Sequence, residues 1–141
     1  MKRMIYCFAK DKGTLLYELE RKSESLIKHL VKYFMYPGHI SASHWGDEIY
    51  AFLNSVSKLK KKNKRPTSEQ ILQSTWDVYE DSIIEYIPTV VDDYGYSDVD
   101  PELVYNNCRD YMIWLSNRLS DVGSVSRKAC KRELETIEMR C

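Results

Sequence analysis

The sequence contains little of what tight turns require, with five glycines and four prolines in 141 residues. An all-β domain needs many such turns, so this scarcity favours long helices. Excess charge of either sign is also missing, because 21 Lys and Arg balance 21 Asp and Glu. Proteins devoted to nucleic acid are usually basic, so the balance argues against that class. A net charge of zero also permits self-association.

Long apolar runs are missing as well. The N-terminal run from Met4 to Ala9 stops at Lys10 after six residues, which is too short for the core of a secretory signal or for a membrane span. Periodicity does not decide whether this run is a strand or a helix, and we expect a helical or extended lead-in. We therefore expect no membrane segment and a cytoplasmic protein.

The cysteines show no short-spaced pair, which excludes the common zinc and thiol–disulfide motifs. There are four of them, at Cys7, Cys108, Cys130 and Cys141. Cys108 and Cys130 fall on apolar helical positions, where a free thiol behaves as a small hydrophobic group. A chain of this length does not need a disulfide framework, so we expect reduced, structural cysteines.

Motifs of catalysis and cofactor binding are absent from the sequence. The glycines are scattered, so no phosphate loop forms, and no G-x-S-x-G elbow presents a nucleophile. His44 and Glu48 stand four residues apart near Asp47, but no HExxH-like or ExxH pair supplies the further ligands of a metal site. We predict no catalytic residues, no cofactor, no metal and no enzyme activity.

The longest amphipathic pattern in the chain spans residues 14–36. Its apolar positions recur at steps of three and four, which places them on one helical face together with Ser23. These positions are Leu16, Leu19, Leu26, Ile27, Leu30, Val31 and Phe34. We predict a helix over residues 14–35, ended by Pro37 and Gly38.

Four more segments show helical periodicity. They lie near residues 43–60, 68–87, 101–122 and 126–139. Ser43 is expected to cap the second helix, which should form an antiparallel hairpin with the first. Thr67 and Gln70 fit a capping box for the third helix, and Pro88 is expected to close it.

The last two helices also carry boundary signals. Asp100 is a suitable N-cap for the fourth helix, Pro101 follows at its first position, and Gly123 is a natural C-terminal cap. Ser124 or Ser126 is expected to cap the fifth helix. The sequence therefore predicts an all-α fold, a four- to five-helix bundle with short loops, as a single domain over residues 1–141.

A basic cluster is predicted at the end of the second helix. It consists of Lys58, Lys60, Lys61, Lys62, Lys64 and Arg65. Cations are favourable at a helix C-terminus, so a solvated helix end explains the cluster without a ligand. The alternative interpretation is an electrostatic contact with the phosphates of nucleic acid or with an acidic protein.

An acidic, tyrosine-bearing connection is predicted over residues 89–100. Its candidate protein-binding residues are Asp92, Asp93, Tyr94, Tyr96 and Asp98. Exposed rings and carboxylates suit an interface with a basic partner. The other interpretation is that the rings fold back onto the bundle. Because one tip is basic and the other acidic, copies of the chain can also pair head to tail, as a homo-oligomer.

Several short motifs occur in a fixed order between residues 25 and 87. They are His29-Leu30-Val31-Lys32, Pro37, Trp45 with Ile49 four residues later, and Tyr79-Glu80-Asp81 after a basic loop. This order resembles a family of bacterial all-α domains of unknown function, and the chain departs from that pattern after Pro88. The resemblance implies a protein from a bacterium or a mobile element such as a phage, with no known enzyme activity and no catalytic residues.

The favoured hypothesis is a small cytosolic helical module that binds another protein as a regulator, adaptor or inhibitor or immunity-type factor. It depends on the missing catalytic motifs and on the two charged patches of opposite sign. The alternative is nucleic-acid binding through the basic cluster at residues 58–65.

Overall fold

The computed structural model describes residues 15–62 and 65–140, which form an all-α bundle without strands, as predicted. The helices are α1 (Leu15–Met35), α2 (Ala42–Lys62), α3 (Ser68–Tyr79), α4 (Ile83–Tyr94), α5 (Pro101–Val122) and α6 (Arg127–Glu138). A 3-10 turn, Glu80–Ser82, joins α3 to α4. The expectations for Met4 to Ala9, Cys7, Lys64 and Cys141 lie outside the described residues.

Helix α1 is the centre of the bundle, because it packs against α2, α3, α4 and α5. The face predicted to be apolar is buried from Leu19 to Phe34. Its buried members are Leu19, Ser23, Leu26, Ile27, Leu30, Val31 and Phe34. The one polar member, Ser23, donates its hydroxyl to the carbonyl of Leu19 at 2.8 Å, so its burial leaves no donor unsatisfied.

Helices α1 and α2 form the expected antiparallel hairpin. At one end the Lys58 ammonium lies 3.4 Å from the Glu18 carboxylate, and at the other end the Tyr36 and Trp45 rings are 6.4 Å apart. The connection turns at Gly38, whose φ of 73° lies in the left-handed region that glycine adopts without strain. The α2 face predicted to be apolar is buried from Trp45 to Leu59.

The predicted start of α2 is wrong by a short distance. Ser43 does not cap the helix, because α2 begins at Ala42 and the first carbonyl to accept a helical bond is that of Ser41, from Trp45 N–H at 3.0 Å. The Ser41 N–H is in turn bound by Nδ1 of His39 at 3.0 Å. The loop histidine thus performs the capping that was expected of a serine.

The predicted single helix over residues 68–87 is in fact two helices. Its capping box at Thr67 and Gln70 is confirmed, but the chain breaks at the 3-10 turn and not at Pro88, which lies inside α4. Pro88 removes one helical hydrogen bond, yet its own ring is exposed. Continuing the helix buries Val90 against the bundle, and this burial outweighs the lost bond.

The caps predicted for α5 and α6 are confirmed. The Asp100 carboxylate accepts from the Glu102 N–H at 2.9 Å, and Ser126 Oγ accepts from the Ala129 N–H at 3.1 Å. Gly123 ends α5 with a φ of 75°. The two cysteines on these helices, Cys108 and Cys130, are buried and free, as expected.

The helix order gives the bundle two distinct ends. One end gathers the C-termini of α1 and α4 with the N-terminus of α2, as the contact of Tyr36 with Tyr94 shows. The other end gathers the C-terminus of α2 with the N-terminus of α3, where Lys60 Nζ donates to the carbonyl of Pro66 at 2.7 Å. Since α2 has 21 residues, the ends lie about 30 Å apart.

Candidate interaction surface

Four aromatic rings fill the first of these ends. They belong to Tyr36, His39, Trp45 and Tyr94, and every pair among them has a centroid distance between 4.8 and 6.4 Å. Trp45 forms the floor of the cluster at 1% exposure, whereas Tyr94 is 38% exposed. The outer side of the Tyr94 ring carries the Lys32 ammonium at 5.4 Å. The cluster is therefore a packed platform and not an empty cage.

Hydrogen bonds tie the two connections at this end together. The Tyr36 hydroxyl donates to the carbonyl of Gly95 at 2.5 Å, and Ser97 Oγ donates to the carbonyl of Met35 at 2.5 Å. Residues 36–41 and residues 95–100 are thus held as one surface. A second contact of the Tyr36 hydroxyl, with the carbonyl of Val90 at 3.4 Å, adds little at that length.

Two large apolar side chains project from these connections. Ile40 is 95% exposed and Tyr96 is 87% exposed, the two most exposed large hydrophobic side chains among the described residues. Both lie close in sequence to residues of the platform, since Ile40 follows His39 directly and Tyr96 stands two residues after Tyr94. A fixed loop that holds apolar groups in water is a feature of docking surfaces.

Three exposed carboxylates flank Tyr96 in the sequence, those of Asp92, Asp93 and Asp98. Within residues 15–62 and 65–140, none of the three has an ion-pair partner. Asp92 and Asp93 stand in the last turn of α4, which contains no basic residue. Negative charge is unfavourable at a helix C-terminus, so local structure does not explain these two residues. We call this surface, Ile40 with residues 92–98, the acidic end.

The structure corrects part of the predicted connection and confirms the rest as exposed. Asp92, Asp93 and Tyr94 belong to α4, and the connection itself begins at Gly95. Tyr94 packs onto the platform, as the second interpretation of the tyrosines expects, whereas Tyr96 is exposed to solvent.

The basic cluster lies at the opposite end of the bundle. Contacts within the protein or the dipole of α2 explain the presence of most of its described members. Lys58 pairs with Glu18 at 3.4 Å, and Lys60 donates to the Pro66 carbonyl. The exposed cations that remain among the described residues are Lys61, Lys62 and Arg65. Lys60, Lys61 and Lys62 occupy the last turn of α2, where the helix dipole favours cations. We call the five described cations the basic end.

Replacing Tyr36 by phenylalanine should loosen the acidic end. The change removes the hydroxyl that holds Gly95 and keeps the ring in the platform, so the free energy of unfolding should fall by only about 1 kcal/mol. Amide hydrogen exchange at residues 95–99 should accelerate at least tenfold, while exchange in α5 stays unchanged. Tyr96→Phe, which alters a hydroxyl in solvent, is the matched control. Unchanged exchange in Tyr36→Phe would contradict the proposed tie.

In residues 15–62 and 65–140, no three His, Cys, Asp or Glu side chains form a group that could hold a metal ion. His44 and Glu48 face His29 across the α1–α2 interface, where burial lowers the pKa of His29. Burial likewise raises the pKa of the Cys108 thiol, which disfavours its nucleophilic thiolate form.

Sequence reasoning found the acidic residues but missed the platform beneath them. Tyr36, His39 and Ile40 looked like a helix end and a short loop, and Trp45 looked like an ordinary core residue. A signal was present, because His39 and Ile40 follow a Pro-Gly turn that needs neither a ring nor a large apolar group.

No family model, curated protein or solved structure matches this chain. The resemblance of residues 25–87 to a bacterial family therefore stays a prediction. None of the helices described is long and apolar enough to cross a membrane.

Proposed function

We propose that this protein is a helical module that binds another protein through its acidic end. The observation that carries the proposal is the near-complete exposure of Ile40 and Tyr96 on two connections that are tied to each other, among three carboxylates without ion-pair partners in the described chain. Apolar groups supply contact area, and the carboxylates select a partner with a basic surface. A cytoplasmic regulator, adaptor or inhibitor of bacterial or phage origin fits this description.

The helix dipoles distinguish the two charged ends. At the basic end, lysines at the C-terminus of α2 stabilise their own helix, so that cluster needs no partner. At the acidic end, Asp92 and Asp93 oppose the dipole of α4, so a cationic partner would relieve an unfavourable arrangement. A residue that breaks a local rule without compensation is the better candidate for function.

Reversing the charge of Asp92 and Asp93 should abolish partner binding without harming the fold. Asp92→Lys with Asp93→Lys places cations where the α4 dipole favours them, so the free energy of unfolding should rise by about 0.3–1 kcal/mol. Capture of host proteins from a lysate should fall at least tenfold. Both quantities are measurable on the full chain, by urea denaturation and by quantitative pull-down.

The control for this experiment is Asp81→Lys with Glu85→Lys, which makes the same change in net charge at exposed positions of the 3-10 turn and the first turn of α4. We expect this control to bind like the wild type. If the variant at residues 92 and 93 captures the same proteins in the same amounts, the acidic end is not the binding surface.

Nucleic-acid binding by the basic end is the second candidate, favoured by the exposure of Lys61, Lys62 and Arg65 on one helix end. The same pull-down distinguishes it when it is run with and without nuclease. Protein partners that survive nuclease support the acidic end. Recovered nucleic acid, with protein partners lost on digestion, would support the basic end.

A further inference from the structure

Close to the basic end lies a cavity of about 210 Å³, between α2, the start of α3 and the α5–α6 connection. Its apolar walls are Leu53 and Val56 of α2 with Leu119 and Val125. Polar side chains line the remainder, among them Asn54, Ser57 and Ser68, and the first two are exposed. Since a cavity of roughly 150 Å³ accommodates a benzene-sized ring, this one has room for a phenol.

One lysine lines this cavity, and two further cations lie close to the lining residues in the sequence. Lys60 lines it directly, and Lys61 and Arg65 follow at the end of α2 and in the connection to α3. The cavity therefore combines apolar walls, hydroxyl and amide groups, and one lysine side chain. A tyrosine side chain next to carboxylates is the matching shape and chemistry, because its ring is apolar and its hydroxyl seeks a hydrogen bond.

Tyr96 at the opposite end of the same chain is such a side chain. Tyr96 is 87% exposed and directly follows Gly95 in the connection that also contains Asp98. Asp92 and Asp93 precede it in the last turn of α4. Other tyrosines of this chain already carry a cation of their own, as Tyr86 does with Lys28 and Tyr50 with Arg127. No such pair is formed by Tyr96 within the described residues.

We propose that the acidic end docks onto the basic end of a second copy of this chain, with the Tyr96 ring in the cavity between Leu53 and Leu119. The carboxylates of Asp92 and Asp93 then face Lys61 and Arg65 of that copy. This inference rests on the proposed function, because it uses the same acidic end and assigns it a partner.

The geometry of the docking decides the form of the assembly. The two surfaces differ and lie about 30 Å apart on one molecule, so each docked copy leaves one acidic end and one basic end unused. A contact of this kind is heterologous, so it grows into open chains or rings of three or more copies instead of closing as a two-fold dimer. The zero net charge of the sequence adds no overall repulsion between copies.

Sedimentation velocity on the purified, nuclease-treated chain tests the proposal. At low salt the average mass should increase with concentration beyond that of two chains, and it should fall as salt screens the exposed charges. A wild-type chain that stays monomeric at high micromolar concentration would overturn the proposal. So would a plateau at two chains, or growth that is seen only when nucleic acid is left in the sample.

Two variants at exposed positions separate the surfaces. Asp92→Lys with Asp93→Lys damages the acidic end, and Ser57→Phe fills the cavity from its exposed rim. Each variant alone should lose at least tenfold in association constant, with an unchanged circular dichroism spectrum. Because each retains the surface that the other lacks, an equimolar mixture should form complexes of two chains. A mixture that stays monomeric would contradict docking between different surfaces.

The results of these experiments also distinguish self-docking from the proposed function. A monomeric wild type whose host partner is lost on Asp92→Lys with Asp93→Lys would refute self-docking and support the binding module. Assembly of a protein that captures no other protein would support docking by the acidic end onto a second copy and would refute only the capture of a different protein. Ser57→Phe should leave capture of a host partner by the acidic end unchanged, since Ser57 lies in the C-terminal half of α2, toward the basic end.

Discussion

Trp45→Ala should destabilise the protein by about 3–5 kcal/mol, the range for deleting a large aromatic side chain from a core. The Trp45 ring is 1% exposed and is the floor on which His39 stacks at 4.8 Å and Tyr94 packs edge-on at 5.4 Å. Its loss leaves a cavity below both rings, so the connections that present Ile40 and Tyr96 should lose their support. Urea denaturation measures the change in unfolding free energy.

Trp45→Phe is the conservative partner of this variant. It retains a ring in the floor, so we expect it to lose less than half as much stability and to preserve binding by the acidic end. An Ile113→Ala variant gives the surface reference, since Ile113 is 51% exposed and should change stability by less than about 0.5 kcal/mol. A Trp45→Ala protein as stable as the Ile113 variant would refute the central place of the platform.

The second large effect is expected at alkaline pH. Burial raises the pKa of Tyr33, Tyr111, Cys108 and Cys130 above their ordinary values. An unfolded chain releases these protons near pH 8.5 for a thiol and near pH 10 for a tyrosine, whereas the folded chain retains them. The stability is therefore complete below those pH values and is lost as pH rises through them.

The size of this loss follows from proton linkage. Each proton that the folded chain retains and the unfolded chain has released lowers the stability by up to about 1.4 kcal/mol for every pH unit above the unfolded pKa, so these groups together lower it by a few kcal/mol by about pH 11. Denaturation curves at about pH 7 and at about pH 11 should differ by most of the total stability. A protein equally stable at both pH values would contradict the burial of these groups.

Tyr111→Phe tests how much the Tyr111 hydroxyl alone contributes to the loss of stability at alkaline pH. Tyr111 is fully buried on α5 beside the Cys130 thiol, so removing its hydroxyl should lower the pH slope by about one proton while leaving the ring packing intact. Tyr96→Phe is the control, because it removes a tyrosine hydroxyl from a side chain that is 87% exposed and lies outside the core. Equal slopes in the two variants would assign the alkaline transition to other groups.

Much of this fold follows from local sequence patterns. The α1 stripe predicts its own buried face, including Ser23, because the three- and four-residue spacing leaves one possible inner side. Thr67, Asp100 and Ser126 mark helix starts because their side chains can bond to the free amides of the first turn. Each of these signals involves only residues that are close together in the chain, so it can be recognised from the sequence alone.

Local patterns do not predict where the helical conformation of residues 68–94 is interrupted. Pro88 is the strongest local signal in that region, and it disfavours a helix by several kcal/mol in isolation. The chain nevertheless remains helical there, because Val90 reaches the core and the Tyr36 ring packs on Tyr94 at the end of α4, across more than fifty residues. Local rules fail at this point because a contact distant in sequence decides the conformation.

The sequence predicts the charges of the candidate surface but not the aromatic platform that holds it in place. The carboxylates of Asp92, Asp93 and Asp98 are visible as an acidic run in the sequence. Their neighbours Ile40 and His39 lie more than fifty positions earlier, and only the folded hairpin brings the two segments together. An interface assembled from two connections leaves no continuous motif in a single sequence.

The central place of α1 bears on the synthesis of the chain at the ribosome. This helix is made before the other described helices, and its apolar face stays exposed in the nascent chain until those helices cover it. Helix α2 covers the first part after a turn of only six residues, so the hairpin forms while α5 is still unmade. The side of α1 that belongs to α5 must wait for about sixty further residues. During that interval it is the part of the nascent protein most in need of shielding from other apolar chains.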